Sequence, residues 1–227
     1  MIPWLRGDEP FPPVSKALRS PNGLLAAGGD LSPRRLVEAY RHGIFPWYSQ
    51  GDPILWWSPD PRMVLFPAEL RISRSLRKTL ARDVYETRMD TAFRRVIEAC
   101  AQPRDGHGGT WIVAEMIEAY VRLHDLGFAH SVESWREGEL VGGLYGVALG
   151  KVFFGESMFT RATDASKVAL VRLVERLAAA RYRVIDCQQA TRHLASLGAR
   201  EIPRTAFAQL LQESIQYPPG GERWSPP

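Results

Sequence analysis

The sequence predicts a mixed α/β fold of the α+β class, with a small N-terminal domain at residues 1–62 and a larger domain at residues 63–227. Three observations lead to this prediction. A stretch rich in proline and aromatic residues ends near residue 62, and regular apolar periodicity begins after it. Three strand-like runs are then followed by a long helical run and another strand. At 227 residues with 45% apolar content, the chain can bury a large core.

The N-terminal part is predicted to hold one short helix and an aromatic segment. Ser32 and Pro33 supply an N-cap and a first-turn proline for a helix at about 33–42, which Gly43 can end. Residues 44–61, IFPWYSQGDPILWWSPDP, contain three tryptophans and four prolines, too many breaks for a helix. This segment is either a rigid packing element between domains or the wall of a binding site.

The larger domain is predicted to alternate helices and strands around one mixed sheet. A strand is expected at 63–67, helices at about 91–101 and 115–126, and strands at about 129–136, 140–148 and 151–158. A helix capped by Ser166 should run from Lys167 to about Tyr182, followed by a strand at 183–188. A short helix to Leu197 and a last helix opened by Pro203 complete the order.

A basic stretch from Arg71 to Arg95 is the main charge feature. It carries eight basic residues against three acids, in a chain with a net charge of +4. The spacing of Arg71, Arg74 and Lys78 at i, i+3 and i+7 predicts one face of a helix. The stretch is either a solvated helix face or a contact surface for the phosphate backbone of a nucleic acid.

Several classes of protein are excluded by composition. The two cysteines form no CxxC pair and no Cys/His cluster at metal-ligand spacing, so no disulfide framework and no metal site is expected. No apolar run approaches 18 residues, and Met1–Pro13 has acids and prolines where a signal peptide needs a basic start and an apolar stretch. We therefore expect a cytoplasmic protein that binds no metal and no membrane.

The candidate site follows from the alternation of side chains along two strands. Glu156 and Met158 in GESMF should share one face, and Asp186 and Gln188 in IDCQ should share another, with Cys187 turned away. A strand, a crossover helix and a strand in one sheet predict a parallel pair, with both acids near the C-terminal ends where open sheets bind ligands.

Two interpretations of these acids stay open. They line an active-site cleft, or either one forms a structural ion pair with an arginine. A thiol enzyme built on Cys187 and His193 is the least favoured catalytic hypothesis, because Cys187 should face the core.

The order of elements also suggests a reaction. A meander followed by strand, helix and strand is the core order of the GNAT-type acyltransferase fold, which brings in acyl transfer as an analogy at the level of the fold. The glycine loop that binds pyrophosphate in such enzymes is missing, because the segment before the crossover helix is FTRATDASK. This argues against acetyl-CoA as the acyl donor.

Long motifs cover most of residues 21–204 in order: PNGLLAAGGDLSP, GIFPWYSQGDPILWWSPDPR, GTWI, LVGGLYGV, GESMF, IDCQ and SLGAREIPR. On these motifs the chain closely resembles the leucyl/phenylalanyl-tRNA-protein transferase family of the bacterial N-degron pathway. The resemblance implies transfer of Leu or Phe, and less readily Met, from aminoacyl-tRNA to the α-amine of proteins beginning with Arg or Lys. It implies no metal, CoA or other cofactor.

The resemblance also implies roles for individual residues. The pocket for the aminoacyl-adenosine would be lined by Trp47, Trp111, Leu144, Glu156 and Met158. Catalysis would rest on Asp186 and Gln188. The family pocket often has methionine at the place of Leu144, a swap that nearly conserves volume, and an aromatic residue would be more familiar at Leu173.

The mechanism follows from the chemistry of the two substrates. An α-amine with a pKa near 7.7 to 8.0 is partly neutral at pH 7, and an aminoacyl ester is already activated, so positioning supplies much of the rate. Asp186, directly or through Gln188, would orient the amine and help to accept its proton. A monomer would hold the tRNA acceptor stem with Arg71, Arg74, Arg77, Lys78 and Arg82. The alternatives are a CoA-dependent N-acyltransferase and a non-catalytic RNA-binding module.

Overall fold

The computed structural model describes residues 2–103, 112–215 and 224, and it confirms a mixed α/β fold with two sheets. The first sheet has four short strands in the order β1-β2-β4-β3, with β1 parallel to β2 and the other pairs antiparallel. These strands are β1 (Trp4–Leu5), β2 (Leu24–Gly28), β3 (Phe45–Pro46) and β4 (Leu55–Trp57). The aromatic segment therefore contributes two strands to this sheet.

Helix α1 (Pro33–Arg41) lies between β2 and β3 and confirms the helix predicted at about 33–42. The Ser32 hydroxyl accepts a hydrogen bond from the backbone N–H of Arg35 at 3.3 Å, as an N-cap does. The chain leaves the helix through Gly43, whose φ of +71° is a left-handed conformation that glycine adopts without strain.

The second sheet has seven strands in the order β11-β5-β10-β9-β8-β7-β6. They are β5 (Arg62–Leu65), β6 (Glu86–Met89), β7 (Ala129–Arg136), β8 (Glu139–Leu149), β9 (Val152–Thr160), β10 (Val184–Gln188) and β11 (Arg200–Ile202). Its helices are α2 (Arg74–Ala81), α3 (Phe93–Cys100), α4 (Ala114–Asp125), α5 (Ala165–Ala179), α6 (Arg192–Ser196) and α7 (Arg204–Ser214). Only β9 and β10 are parallel in the described sheet, and this confirms the crossover prediction.

Two apolar clusters cover the two faces of the second sheet. The first contains Tyr145 and Phe154 together with residues of α1, α3, α4 and the first sheet. The second contains Leu144 and Phe153 together with much of α5. Neighbouring residues of one strand thus enter opposite clusters, as the pleat of a strand requires.

Two local predictions are wrong. Helix α5 begins at Ala165 with Asp164 as its N-cap, so Ser166 lies inside the first turn and does not cap it. Helix α2 begins only at Arg74, where the Ser73 hydroxyl accepts the Leu76 N–H at 3.2 Å. Arg71 lies before this helix and therefore does not share its face with Arg74 and Lys78.

Glu133 of β7 is fully buried and holds the start of α3. Its carboxylate accepts hydrogen bonds from both the backbone and the hydroxyl of Thr91, and from the backbone N–H of Ala92 at 2.9 Å. The hydroxyl of Ser131 and the indole of Trp135 add two donors. Five donors satisfy this buried carboxylate, and three of them, from Thr91 and Ala92, fix the backbone at the start of α3.

Trp224 packs against side chains of β7 and α5. Its ring stacks on His130 with centroids 4.1 Å apart, and the Arg176 guanidinium lies 4.7 Å from the ring centroid. Its backbone N–H donates to Asp90 at 3.0 Å, and Asp90 also accepts from His130 at 2.7 Å. The tryptophan therefore closes one edge of the second apolar cluster.

None of the helices in residues 2–103 and 112–215 has the length and apolar character that crossing a bilayer would require. Within the same described part of the chain, no three His, Cys, Asp or Glu side chains are grouped so that they could hold a metal ion.

Candidate active site

A bulge in β9 determines where Glu156 points. Gly155 pairs with Gly146 and Ser157 pairs with Tyr145, so Glu156 is an extra residue in the ladder. A Cβ atom at Gly146 would lie 2.2 Å from the Phe154 carbonyl oxygen, so this close approach requires glycine.

The bulge reverses the alternation of side chains beyond it. Glu156 contacts tyrosines of the first apolar cluster, whereas Met158 pairs with Leu144 and packs against the second cluster. The prediction that Glu156 and Met158 share a face is therefore wrong.

The parallel strands β9 and β10 separate beside Glu156. Their pairing runs from Val184 opposite Val152 to Asp186 opposite Phe154. Gln188 has a φ of +63° and ends β10, while β9 continues to Thr160. Side chains replace the backbone ladder at this point, because the Gln188 amide donates to Glu156 at 2.9 Å. Asp186 is the last residue of β10 that pairs with β9, whereas Glu156 lies in the middle of β9 and not near its C-terminal end as predicted.

Asp186 forms a buried ion pair with Arg62 at the start of β5. Arg62 Nε and Nη2 donate to the two carboxylate oxygens at 2.8 and 2.6 Å, and both side chains are 0% exposed. Arg62 also donates to the Gly43 carbonyl at 3.0 Å and lies against the rings of Phe45 and Phe207. The sequence hypothesis of an arginine ion pair thus holds for Asp186.

Asp186 also reaches Gln188 through the backbone. One carboxylate oxygen of Asp186 accepts the Gln188 backbone N–H at 2.9 Å, which fixes the turn that ends β10. The two residues share one side of the sheet, as predicted, since Gln188 contacts Glu156 there and Cys187 packs against the second cluster. Burial raises the pKa of the Cys187 thiol, which makes it a poor nucleophile.

Two tyrosines complete the surroundings of Glu156. Tyr40 of α1 donates to Oε1 at 2.7 Å, Tyr120 of α4 donates to Oε2 at 3.2 Å, and the two hydroxyls contact each other. Burial raises the pKa of the Glu156 carboxyl to about 7, and the nearby charge of Asp186 adds to this, although the tyrosine hydrogen bonds oppose it. Burial also raises the pKa of each tyrosine, so both hydroxyls stay protonated.

The remaining predicted pocket residues are not all gathered around Glu156. Trp47 follows β3 in the first sheet, is 36% exposed, and lies edge-on to Trp57 with centroids 5.4 Å apart. Leu144 and Met158 face the second cluster, on the other side of the sheet from the Glu156 carboxyl. Trp111 lies outside the described residues.

The predicted RNA-contacting residues lie on and beside α2. Arg74, Arg77 and Lys78 are exposed on the helix, and Arg82 is its C-cap. Within the described residues, none of them forms an ion pair with an acid. Arg71 is exposed just before the helix, with its N–H bonded to the Leu197 carbonyl.

Sequence reasoning did not identify Arg62, Tyr40 or Tyr120 as site residues. Arg62 belongs to the SPDPR motif, but no spacing connects it with a residue 124 positions away. The two tyrosines occupy buried positions of amphipathic helices, where a core role is the ordinary interpretation. Only the packing of α1 and α4 on the sheet brings these hydroxyls together.

The fold is a mixed sheet that separates beside a buried cluster of acid, amide and tyrosine groups, an arrangement compatible with a transferase active site. The sequence profile of the leucyl/phenylalanyl-tRNA protein transferase matches residues 64–212, and the profile of its N-terminal domain matches residues 29–60. The chain is 64% identical over 224 residues to the leucyl/phenylalanyl-tRNA–protein transferase of Nitrosospira multiformis, covering 99% of this chain and 97% of the relative. The chain belongs to the leucyl/phenylalanyl-tRNA protein transferase family.

The chain is also similar to a second relative and, at much lower identity, to two solved structures. The leucyl/phenylalanyl-tRNA–protein transferase of Pseudomonas entomophila is 62% identical, with 97% of this chain and 98% of the relative covered. The C-terminal domain of a putative lysylphosphatidylglycerol synthetase from Agrobacterium fabrum superposes with a TM-score of 0.42 at 10% identity, over 83% of this chain and 58% of that chain. A GCN5-related N-acetyltransferase from Kribbella flavida gives 0.37 at 9% identity, over 73% and 59%.

Proposed function

We propose that this protein transfers Leu or Phe, and less readily Met, from aminoacyl-tRNA to the α-amine of proteins that begin with Arg or Lys. The transfer would mark these proteins for degradation by the N-degron pathway. The observation that carries the proposal is the contact between Glu156 and Gln188 at the separation of β9 and β10. The contact offers an acid and an amide to an incoming amine, and the chain belongs to the leucyl/phenylalanyl-tRNA protein transferase family.

The chemistry needs positioning more than a nucleophile. The aminoacyl ester is activated, and the amine attacks its carbonyl carbon directly, so no enzyme-bound intermediate is required. Gln188 and Glu156 are each 9% exposed and can orient the amine. Asp186 is completely buried, so we assign it an indirect catalytic part, which is to hold Gln188 through its backbone N–H.

The apolar side chain of the amino acid would occupy the face of the sheet that carries Leu144 and Met158. Both belong to or pack against the second cluster, next to the point where the two strands part. An apolar pocket separates substrates that differ by one methylene by only about 1 to 3 kcal/mol, which would explain tolerance of several apolar side chains that are unbranched at Cβ. Trp47 and Trp111 would help to line the pocket for the aminoacyl-adenosine.

The acceptor stem of the tRNA would lie along α2. The exposed cations Arg74, Arg77, Lys78 and Arg82 follow one another on this helix, with Arg71 just before it. Exposed cations that pair with no acid among the described residues suit phosphate contacts, which tolerate any base sequence but weaken with salt.

A CoA donor is disfavoured by the start of α5. A CoA-dependent enzyme of this topology would place its pyrophosphate at this helix N-terminus, where Asp164 is the N-cap. The Asp164 carboxylate accepts from Lys167 at 2.7 Å and from Thr79 at 3.1 Å, so an acid with its own partners already occupies this end of the helix.

The test is a transfer assay with labelled Leu-tRNA or labelled acetyl-CoA and two peptides that differ only in a first residue of Arg or Ala. We expect label to move from Leu-tRNA to the Arg peptide alone. Transfer from acetyl-CoA alone, or tRNA binding without transfer, would refute the proposal.

We further propose that the protein is a monomer, that it acts in the cytoplasm, where aminoacyl-tRNA is made, and that its two domains meet near residue 62.

A further inference from the structure

The hydrogen bonds around Glu156 leave room for one proton on its carboxyl group. Three oxygen–oxygen contacts join Tyr40, Tyr120 and Glu156 in a ring. Each contact needs one proton, and the two tyrosine hydroxyls supply only two. An ionised Glu156 therefore leaves one contact without a proton, whereas a protonated Glu156 fills all three.

The surroundings of Glu156 also favour a carboxyl group that can hold a proton. It faces Tyr40 of α1, Tyr120 of α4, Tyr145 of β8, Gln188 and Asp186 of β10, and Arg62 of β5. Burial is the main influence on this carboxyl and brings its pKa to about 7, close to a physiological pH. The carboxyl can therefore exist in either form at the pH at which an enzyme works.

The hydrogen bonds of Asp186, in contrast, leave no room for a proton on its carboxylate. Both of its oxygens accept from Arg62, and one also accepts the Gln188 N–H, so a proton on Asp186 would displace a hydrogen bond. Asp186 and Arg62 are 0% exposed, whereas Glu156 and Gln188 are 9% exposed. Of these two acids, Glu156 is the one that can take up a proton without losing a hydrogen bond and that a substrate can reach.

We propose that Glu156 accepts the proton of the incoming α-amine, and that Arg62 is a positioning residue that holds Asp186 and, through it, Gln188 against Glu156. The inference rests on the proposed function. The ammonium group gives one proton to the Glu156 carboxylate, and the neutral amine forms a C–N bond with the ester carbonyl carbon. The C–O bond to the tRNA then breaks, and the second amine proton goes to the leaving 3′-oxygen.

The first experiment compares wild type with Glu156→Gln in transfer of labelled Leu from saturating Leu-tRNA to an Arg peptide between pH 5.5 and 9.5. The amide keeps the shape and can donate to Tyr120 as the protonated acid does, but it accepts no proton. Because about one α-amine in ten is neutral at pH 7, we expect kcat to fall by up to about tenfold there. The deficit should shrink above pH 8, where solvent deprotonates the amine, and the KM for Leu-tRNA should change less than threefold.

The second experiment tests the positioning role of Arg62. Arg62→Leu should lower both the urea midpoint and kcat, because it leaves Asp186 buried without its partner. Arg62→Leu/Asp186→Leu replaces the pair by apolar side chains and should recover the midpoint, since such replacements are often neutral or stabilising. Its kcat should stay low, because Gln188 is no longer held.

The outcomes separate the hypotheses. A Glu156→Gln deficit that is absent, or equal at every pH, would overturn the role of Glu156. Wild-type kcat in a stable double variant would reduce Arg62 to a packing residue. Absence of transfer by the wild-type protein itself would instead refute the proposed function.

Discussion

Replacing Glu156 by glutamine is expected to stabilise the fold more at pH 8 than at pH 4.5. Burial raises the pKa of this carboxyl from its ordinary 4.5 to about 7, so the folded protein holds the proton more tightly than the unfolded chain does. The stability that Glu156 contributes is therefore complete below pH 4.5 and is lost as the pH rises through about 7. Glutamine carries no such proton, so its contribution stays constant.

The size of the effect follows from the shift. Each unit of pKa corresponds to about 1.4 kcal/mol, so a rise from 4.5 to about 7 amounts to about 3 kcal/mol. Glu156 is only 9% exposed, so solvent reduces this electrostatic effect only slightly. The free energy of unfolding of Glu156→Gln, minus that of wild type, should increase by about this amount between pH 4.5 and 8.

The assay is urea unfolding of both proteins at constant ionic strength across that pH range. Taking the difference between the two proteins removes the titration of all other groups. Glu175→Gln on the surface of α5 is the matched control, and its difference from wild type should stay nearly flat because its side chain is 54% exposed. Parallel curves for wild type and Glu156→Gln would refute the idea that burial controls this carboxyl.

Three further predictions concern RNA binding and stability. Arg74→Ala/Lys78→Ala should raise the KM for Leu-tRNA and flatten the slope of log affinity against log salt by about 1.5 to 2, with Arg34→Ala as a control on another exposed cation; an unchanged slope would make α2 a solvated face. Glu133→Gln should lower the free energy of unfolding by about 2 to 3 kcal/mol, because an amide group then meets donors in a buried place; a change below about 0.5 kcal/mol by urea titration would contradict this. Trp224→Ala should cost about 3 kcal/mol through the lost ring contacts, and an unchanged thermal midpoint would show that the ring stabilises nothing.

Periodicity predicted α1 and the central elements of the second sheet, because these depend on local patterns, but it missed the first sheet and the edge strands β6 and β11. The helix at Pro33–Arg41, the three strands of the meander and the parallel pair β9 and β10 all follow from apolar spacing and turn residues. The same method could place Asp186 and Gln188 on one side, since few residues separate them.

Alternation failed at Glu156 because a bulge adds a residue that counting does not detect. The bulge depends on the close approach of Gly146 to the Phe154 carbonyl on the neighbouring strand, which is a contact between strands and not a pattern within one. The partners Arg62, Tyr40 and Tyr120 were missed for a related reason, since each meets the site only through tertiary packing.

The long separation of Arg62 and Asp186 has a consequence for synthesis of the chain on the ribosome. Their side chains are 124 positions apart, and the Phe207 ring that packs on Arg62 comes later still. A growing chain can form the first sheet and α1 early, but Arg62 meets its partner only after β10 has emerged. The site therefore stays incomplete until both β10 and α7 have been synthesised.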